Sequence, residues 1–154
     1  MASILKRLSR KWTIEVNTGT NEAQVWSKVK GLTKLELGID ANSVDTTDFD
    51  SEGWEDNDTT FRKWSLGIEG FDGFTGPVNA QVDDPGQAFL KMKGLLTGPE
   101  AKVEVRVYRL DNNKGYSGLA TSNWAGAGGE VKNMEPFKCD LTGSGLLSPF
   151  VYTP

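Results

Sequence analysis

The chain has 154 residues, enough for one domain with its own core, and carries 17 basic and 21 acidic side chains for a net charge of -4. It has no histidine and one cysteine, so a Ser-His-Asp or Cys-His pair, a His-ligated metal site and an intramolecular disulfide are all excluded. The acidic balance also excludes a protein that is basic all over and wraps phosphates.

In chain order, residues 1–10 read as a basic N-terminal arm. Lys6, Arg7 and Arg10, with Lys11 beside them, meet no acid before Glu15. The opening MASILKRLSRKW has no continuous apolar run and no small-residue cleavage site, and is not read as a secretory signal. No stretch approaches the ~18 apolar residues of a membrane span. A strand follows at 12–16, with Trp12, Ile14 and Val16 on one face and Thr13 and Glu15 on the other. Residues 36–61 then hold Glu36, Asp40, Asp45, Asp48, Asp50, Glu52, Glu55, Asp56 and Asp58 with no Lys or Arg, a segment of charge -9 in a chain whose remainder is +5. Like charges at that density repel one another, so 40–60 is predicted to be a long acidic surface loop.

Alternation resumes at 61–70, where Trp64, Leu66 and Ile68 oppose Lys63, Ser65, Gly67 and Glu69. A helix is predicted over 84–97. Asp84 is its N-cap, Pro85 suits its first position, and Ala88, Phe89, Met92, Leu95 and Leu96 share one face before Gly98-Pro99 stops it. At 101–109, Val103, Val105 and Val107 oppose Lys102, Glu104, Arg106 and Tyr108. The turn Asp111-Asn112-Asn113-Lys114-Gly115 leads to a weaker strand at 116–125. At 136–142, Phe137, Cys139 and Leu141 oppose Lys138, Asp140 and Thr142, which makes Cys139 a buried core residue rather than a reactive thiol. Residues 146–154 read as a C-terminal tail. The sum is a single domain over 1–154, mainly β (α+β): an antiparallel β-sandwich or barrel-like fold with one flanking helix.

Several segments carry part of a chemical signature. Asp48-Phe49-Asp50-Ser51-Glu52-Gly53 matches the first half of a calcium loop, but the closing position holds Thr59 and no helices flank it. Nothing marks two carboxylates as facing each other across a cleft, as a glycosidase needs. Trp26, Trp54, Trp64, Trp124, Tyr108 and Tyr116 could form a sugar platform. Trp12 and Trp64, however, sit on apolar strand faces, and Trp54 and Trp124 suit subunit contacts better. The Gly-rich run Ala125-Gly126-Ala127-Gly128-Gly129-Glu130 lacks a following Lys-Ser/Thr and reads as a turn, not a P-loop. The expectation is therefore no enzyme, no cofactor and no metal. Opposite charges on separate segments suit head-to-tail association of copies.

The order of these segments resembles the tail tube (major tail) proteins of long, non-contractile-tailed bacteriophages. The resemblance rests on Trp12-Thr13-Ile14-Glu15-Val16-Asn17, on Trp26 with Val29-Lys30-Gly31-Leu32-Thr33, and on Val44-Asp45-Thr46-Thr47-Asp48-Phe49-Asp50-Ser51-Glu52-Gly53-Trp54. It continues through Arg62-Lys63-Trp64-Ser65-Leu66, Ile68-Glu69-Gly70, the central helix, the 103–107 strand and Leu141-Thr142-Gly143-Ser144-Gly145, covering most of residues 10–145.

What the resemblance implies is a virion protein, assembled in a host bacterial cytoplasm. Six subunits would form a ring whose strands join into an inner β-barrel, and stacked rings would make a tube that conducts viral DNA without specific binding. It implies itself, a tape-measure protein, a tail terminator and distal tail proteins as partners, with no membrane. It places inter-ring contact on loop 40–60, with Phe49 and Trp54 as apolar anchors and Asp45, Asp48, Asp50 and Glu52 setting register against Lys6, Arg7, Arg10 and Lys11 of another subunit. The polar strand faces Lys63, Ser65, Glu69, Lys102, Glu104, Arg106, Lys138 and Asp140 become candidates for the lumen wall. The alternatives left open are the inner tube of a contractile tail, tailocin or secretion system, and a carbohydrate-binding β-sandwich module.

Overall fold

The structure is a computed structural model and describes residues 3–125 and 128–154. Met1 and Ala2 of the arm, and Gly126 and Ala127 of the Gly-rich run, lie outside the described residues. Seven strands form one antiparallel sheet: β1 (Trp12–Asn17), β2 (Trp26–Lys28), β3 (Leu32–Asp45), β4 (Asn57–Phe71), β7 (Lys102–Arg109), β8 (Lys114–Ala125) and β9 (Pro136–Val151). Their order is β2-β1-β7-β8-β9-β4-β3, and the sheet does not close on itself. A two-stranded ribbon, β5 (Phe74–Thr75) with β6 (Val82–Asp83), leads into helix α1 (Pro85–Lys93).

The alternation read from the sequence places the core. Ile14, Val16, Val103, Val105, Ala120, Trp64, Leu66, Ile68, Phe137, Cys139 and Leu141 all turn to one face of the sheet and are buried. Helix α1 lies over the β1, β7 and β8 part of that face and drives Leu90 into it. Burial pushes the Cys139 thiol up, and Ser122 Oγ lies 3.6 Å from its sulfur while donating to the Leu90 carbonyl at 3.0 Å. The thiol is thus an inert core group at neutral pH.

Three expectations change. Residues 40–60 are not one loop: β3 and β4 form a long hairpin, and only 46–56 is irregular, around a 3-10 turn at Phe49–Ser51. The acids do not prevent pairing because they stand exposed in water, where charge is screened. Several face basic or neutral partners, as in Asp40↔Lys63 and Val44↔Asp58.

The helix is also shorter than 84–97 and is turned differently. It docks through Gly86, Gln87 and Leu90, while Met92 and Leu95 are 50% and 86% exposed. Gly86 decides this, since a Cβ there would lie 2.4 Å from the Lys28 carbonyl oxygen, so only glycine allows that approach. Gln87 then bonds the carbonyls of Lys30 and Phe71 through Nε2, and Asp84 caps the helix by accepting from the Gln87 N–H at 3.2 Å. Finally, the tail 146–154 is strand as far as Val151.

Candidate assembly surfaces

The face of the sheet opposite the helix is polar, and the strand register lines its side chains into rows. Lys34, Glu69 and Lys138 are neighbours across β3, β4 and β9; Glu36, Gly67, Asp140 and Asn123 form the next row, and Gly38, Ser65, Thr142, Thr121 and Lys102 the next. Of the predicted wall residues, Lys63, Ser65, Glu69, Lys102, Lys138 and Asp140 share this one open face. Lys34, Glu36 and Asp40 join them; the sequence reading assigns no strand to 32–39 and places Asp40 in the expected loop 40–60, so none of the three is among its wall candidates.

Two wall candidates are used differently. Glu104 accepts from Asn17 Nδ2 at 3.4 Å and Gln24 Nε2 at 3.3 Å, tying down the turn between β1 and β2. Arg106 is enclosed, with a side chain only 16% exposed. Its Nε donates to Glu15 at 2.7 Å, and its guanidinium carbon lies 4.2 Å from the centroid of Trp26, with Phe150 and Tyr152 beside it. Tyr108 donates to the other oxygen of Glu15 and stacks on Tyr152 with 4.8 Å between centroids. Burial, reinforced by the bond to Glu15, pushes the Tyr108 hydroxyl well above the usual phenol range. An arginine so covered offers a channel little charge, which corrects its expected place on the wall.

The hairpin end presents apolar side chains held out in water. Phe49 is fully exposed and Trp54 is 80% exposed. Asp48, half of the suspected calcium pair, is instead a capping group: it accepts from the Asp50 N–H at 3.0 Å and from Ser51 Oγ at 3.2 Å. Thr47 donates to Asp45 at 2.9 Å and holds its carboxyl below the usual range. Among the described residues no group of three or more Cys, Asp or Glu side chains is placed to hold a metal ion.

Lys6, Arg7 and Arg10 are exposed and Lys11 half-buried at the start of β1. The register puts this arm at the same end of the sheet as the hairpin tip, since Trp12 pairs with Arg109, Tyr108 with Gly115 and Lys114 with Val151. The sequence reading sets arm against tip head to tail; within one copy the two lie at the same end of the sheet.

At that same end the sheet splits. Pairing of β4 with β9 stops at Ser65↔Thr142, although β4 begins at Asn57 and β9 runs on to Val151 beside β8. The two diverging halves enclose a groove of about 630 Å³, lined by Ile39, Arg62, Trp64, Leu146, Leu147 and Pro149 among others.

No family model matches the sequence, and no curated protein is significantly similar to it. The fold is similar to that of chains in solved assemblies. One belongs to the virion of a native gene transfer agent particle (15% identity, TM-score 0.67, covering 95% of this chain and all of that one). Another comes from the tail of an empty gene transfer agent particle with C6 symmetry (16% identity, TM-score 0.67, 96% of this chain and all of that one). A third is from the six-fold symmetrised baseplate of the anti-feeding prophage (9% identity, TM-score 0.63, 97% and 98%). The chain thus has a fold found in tail and baseplate assemblies.

Proposed function

We propose that this chain is a structural subunit of a phage-type tail, forming hexameric rings that stack into a tube through which DNA passes. The observation that carries this reading is the fold, shared from end to end with chains of tail and baseplate particles, two of which have six-fold symmetry. The molecule's own physics agrees. An open sheet whose outer strand β3 offers 14 residues of unpaired edge invites a neighbour, because isolated edges of that length are a liability. A polar face in which acids and lysines alternate from strand to strand would line a duct without gripping phosphate. The role is mechanical and non-enzymatic, and its place is the virion.

Within that class we favour the tube of a long non-contractile tail. The likeness to the anti-feeding prophage baseplate supports a second reading, the inner tube of a contractile tail or related device. Negative-stain imaging of purified protein at rising concentration tests both: six-fold rings or tubes are expected, and a monodisperse monomer throughout would refute them. A monomer whose mobility shifts with added glycan would instead establish the carbohydrate-binding module.

A further inference from the structure

We propose that the acidic tip of the β3–β4 hairpin, residues 45–58, binds the basic arm, residues 3–11, of the next subunit in the same ring. The inference rests on the ring-forming role above and names a contact between neighbours within it.

Tip and arm leave the sheet at one level. Gly38, Ser65, Thr142, Thr121 and Lys102 form one row across it. Asp45 lies seven positions along β3 from Gly38, and Arg109 lies seven positions along β7 from Lys102, toward the same end. Arg109 pairs with Trp12, where β1 begins. Both segments therefore continue past the end of the sheet from the same height.

They also stand on opposite edges. β3 is the outer strand on one side. On the other side β2 stops at Lys28, opposite Glu15, and β1 alone runs on to Trp12. When copies of one polarity stand edge to edge, the end of one β3 meets the next copy's β1 and arm with no strand between. A gap as wide as β2 is two strand spacings, about 10 Å, which a facing Arg and Glu can bridge. Within one copy the tip is five spacings from β1, about 24 Å, and among the described residues no salt bridge joins tip to arm. Residues 57–64 of β4 have no β9 partner, so the hairpin is free to follow a neighbour.

The chemistry matches. Residues 45–58 hold seven acids and no base, and residues 3–11 hold four bases and no acid. Phe49 and Trp54 on the tip and Ile4 and Leu5 on the arm are largely exposed, and aromatic rings also take guanidinium groups such as those of Arg7 and Arg10. Both segments are held in place by their own subunit. Arg109 Nη2 donates to the Leu8 carbonyl at 2.9 Å, and the Asp56 N–H donates to Thr47 Oγ1 at 2.7 Å. Asp111, the acid beside the arm, is already bound by Arg109 through Nε and Nη2, each at 3.0 Å. Each copy thus gives a tip to one neighbour and takes a tip from the other, a heterologous contact whose direction opposite charge fixes.

Two sets of full-length variants test this. Converting Asp50, Glu52, Glu55, Asp56 and Asp58 to Lys turns the tip from -7 to +3, and converting Lys6, Arg7 and Arg10 to Glu turns the arm from +4 to -2. Each reversal alone should melt near the parent temperature and need about tenfold more protein to form rings. Both reversals in one chain should restore ring formation. The second set carries Lys6→Cys and Asp50→Cys together, while Cys139 is fully buried and stays silent. Its rings, oxidised, should give a disulfide ladder ending at six. The proposal is overturned by single reversals that form rings as the parent does, whether or not those rings stack, or by a combined chain no better than either reversal. A ladder that runs past six, an internal cross-link that leaves monomers, or no cross-link in well-formed rings overturns it equally. In each of these cases the tube reading survives; a parent protein that never forms rings removes both.

Discussion

The indole N–H of Trp64 donates to the carbonyl of Gly145 at 3.2 Å, across the point where β4 and β9 separate. The ring lies flat on a strip of glycine: a Cβ on Gly143 would stand 2.4 Å from Trp64 Cε2, and one on Gly118 would stand 2.7 Å from Cζ2. Gly145 itself has φ +90°, a backbone state that side chains rarely adopt. Trp64 thus acts as a wedge that ends one ladder and opens the groove. Gly143→Ala is expected to cost roughly 1–3 kcal/mol, because the ring cannot back away within a packed core. In a chain of this size that lowers the melting temperature by about 3–10 °C. A thermal melt unchanged from the parent would show that the wedge is not tightly packed.

The Glu15, Arg106 and Tyr108 group makes a second stability test. Arg106→Ala leaves the Glu15 carboxylate buried without its cation and is expected to cost ~3–5 kcal/mol in a denaturant titration. Tyr108 adds a pH dependence whose sign is fixed. Its hydroxyl ionises less readily in the folded state than in the unfolded one, so the folded state holds the proton more tightly. The contribution is therefore complete below pH ~10, where a free phenol starts to ionise, and falls as the pH rises beyond that. Phenolate absorbance should show one of the three tyrosines ionising only as the sheet opens. Tyr108→Phe should remove that late step.

Legibility in the sequence followed the physics of alternation. Strands with one wet and one dry face, such as Val103/Val105/Val107 and Phe137/Cys139/Leu141, showed in the sequence because burial has period two. β3 was hidden because Glu36, Asp40 and Asp45 masked a strand whose hairpin stands in water and needs little burial on its far half. The helix face was misjudged because Gly86 and Gln87 dock beside Leu90, while Met92 and Leu95 of the predicted face turn to solvent; the Gly86 signal is steric and depends on Lys28 of a distant strand. The Glu15–Arg106 pair is a register fact between strands 91 residues apart, which no local pattern encodes. The split between β4 and β9 is likewise a product of pairing, with Gly143 and Gly145 beneath Trp64 as its faint local trace.

Charge at the hairpin end is open to reversal without harm to the fold. Asp50, Glu55 and Asp56 are exposed, whereas Asp48 also caps the 3-10 turn, so changing Asp48 would mix a local loss of about 1 kcal/mol into the result. Converting Asp50, Glu55 and Asp56 to Lys should leave the melting curve within a degree or two of the parent, since surface changes of this kind have small effects. The same variant should fail to assemble at moderate salt. Recovery of assembly at high salt, where repulsion from the basic arm is screened, would confirm an electrostatic cause. Normal assembly at every salt concentration would show that these acids face no partner.

The polar face can be tested as the lumen wall through its charge. Glu69 stands between Lys34 and Lys138 in one row, and Asp140 faces Gly67 in the next. Replacing both acids with lysine would make the first row wholly basic and leave Glu36 as the one acid of the second, while the buried neighbours Ile68, Cys139 and Leu141 on the other face stay untouched. If this face lines the tube, assembled Glu69→Lys/Asp140→Lys particles should retain linear duplex DNA that the parent tube releases. Retention should weaken steeply with added salt, as counterion release requires. An equivalent reversal at exposed Glu100, in the 3-10 turn that follows the helix, should have no such effect. Assembled double-variant tubes that release DNA as readily as the parent would place this face away from the channel and leave the charge alternation as an ordinary solvent-facing pattern.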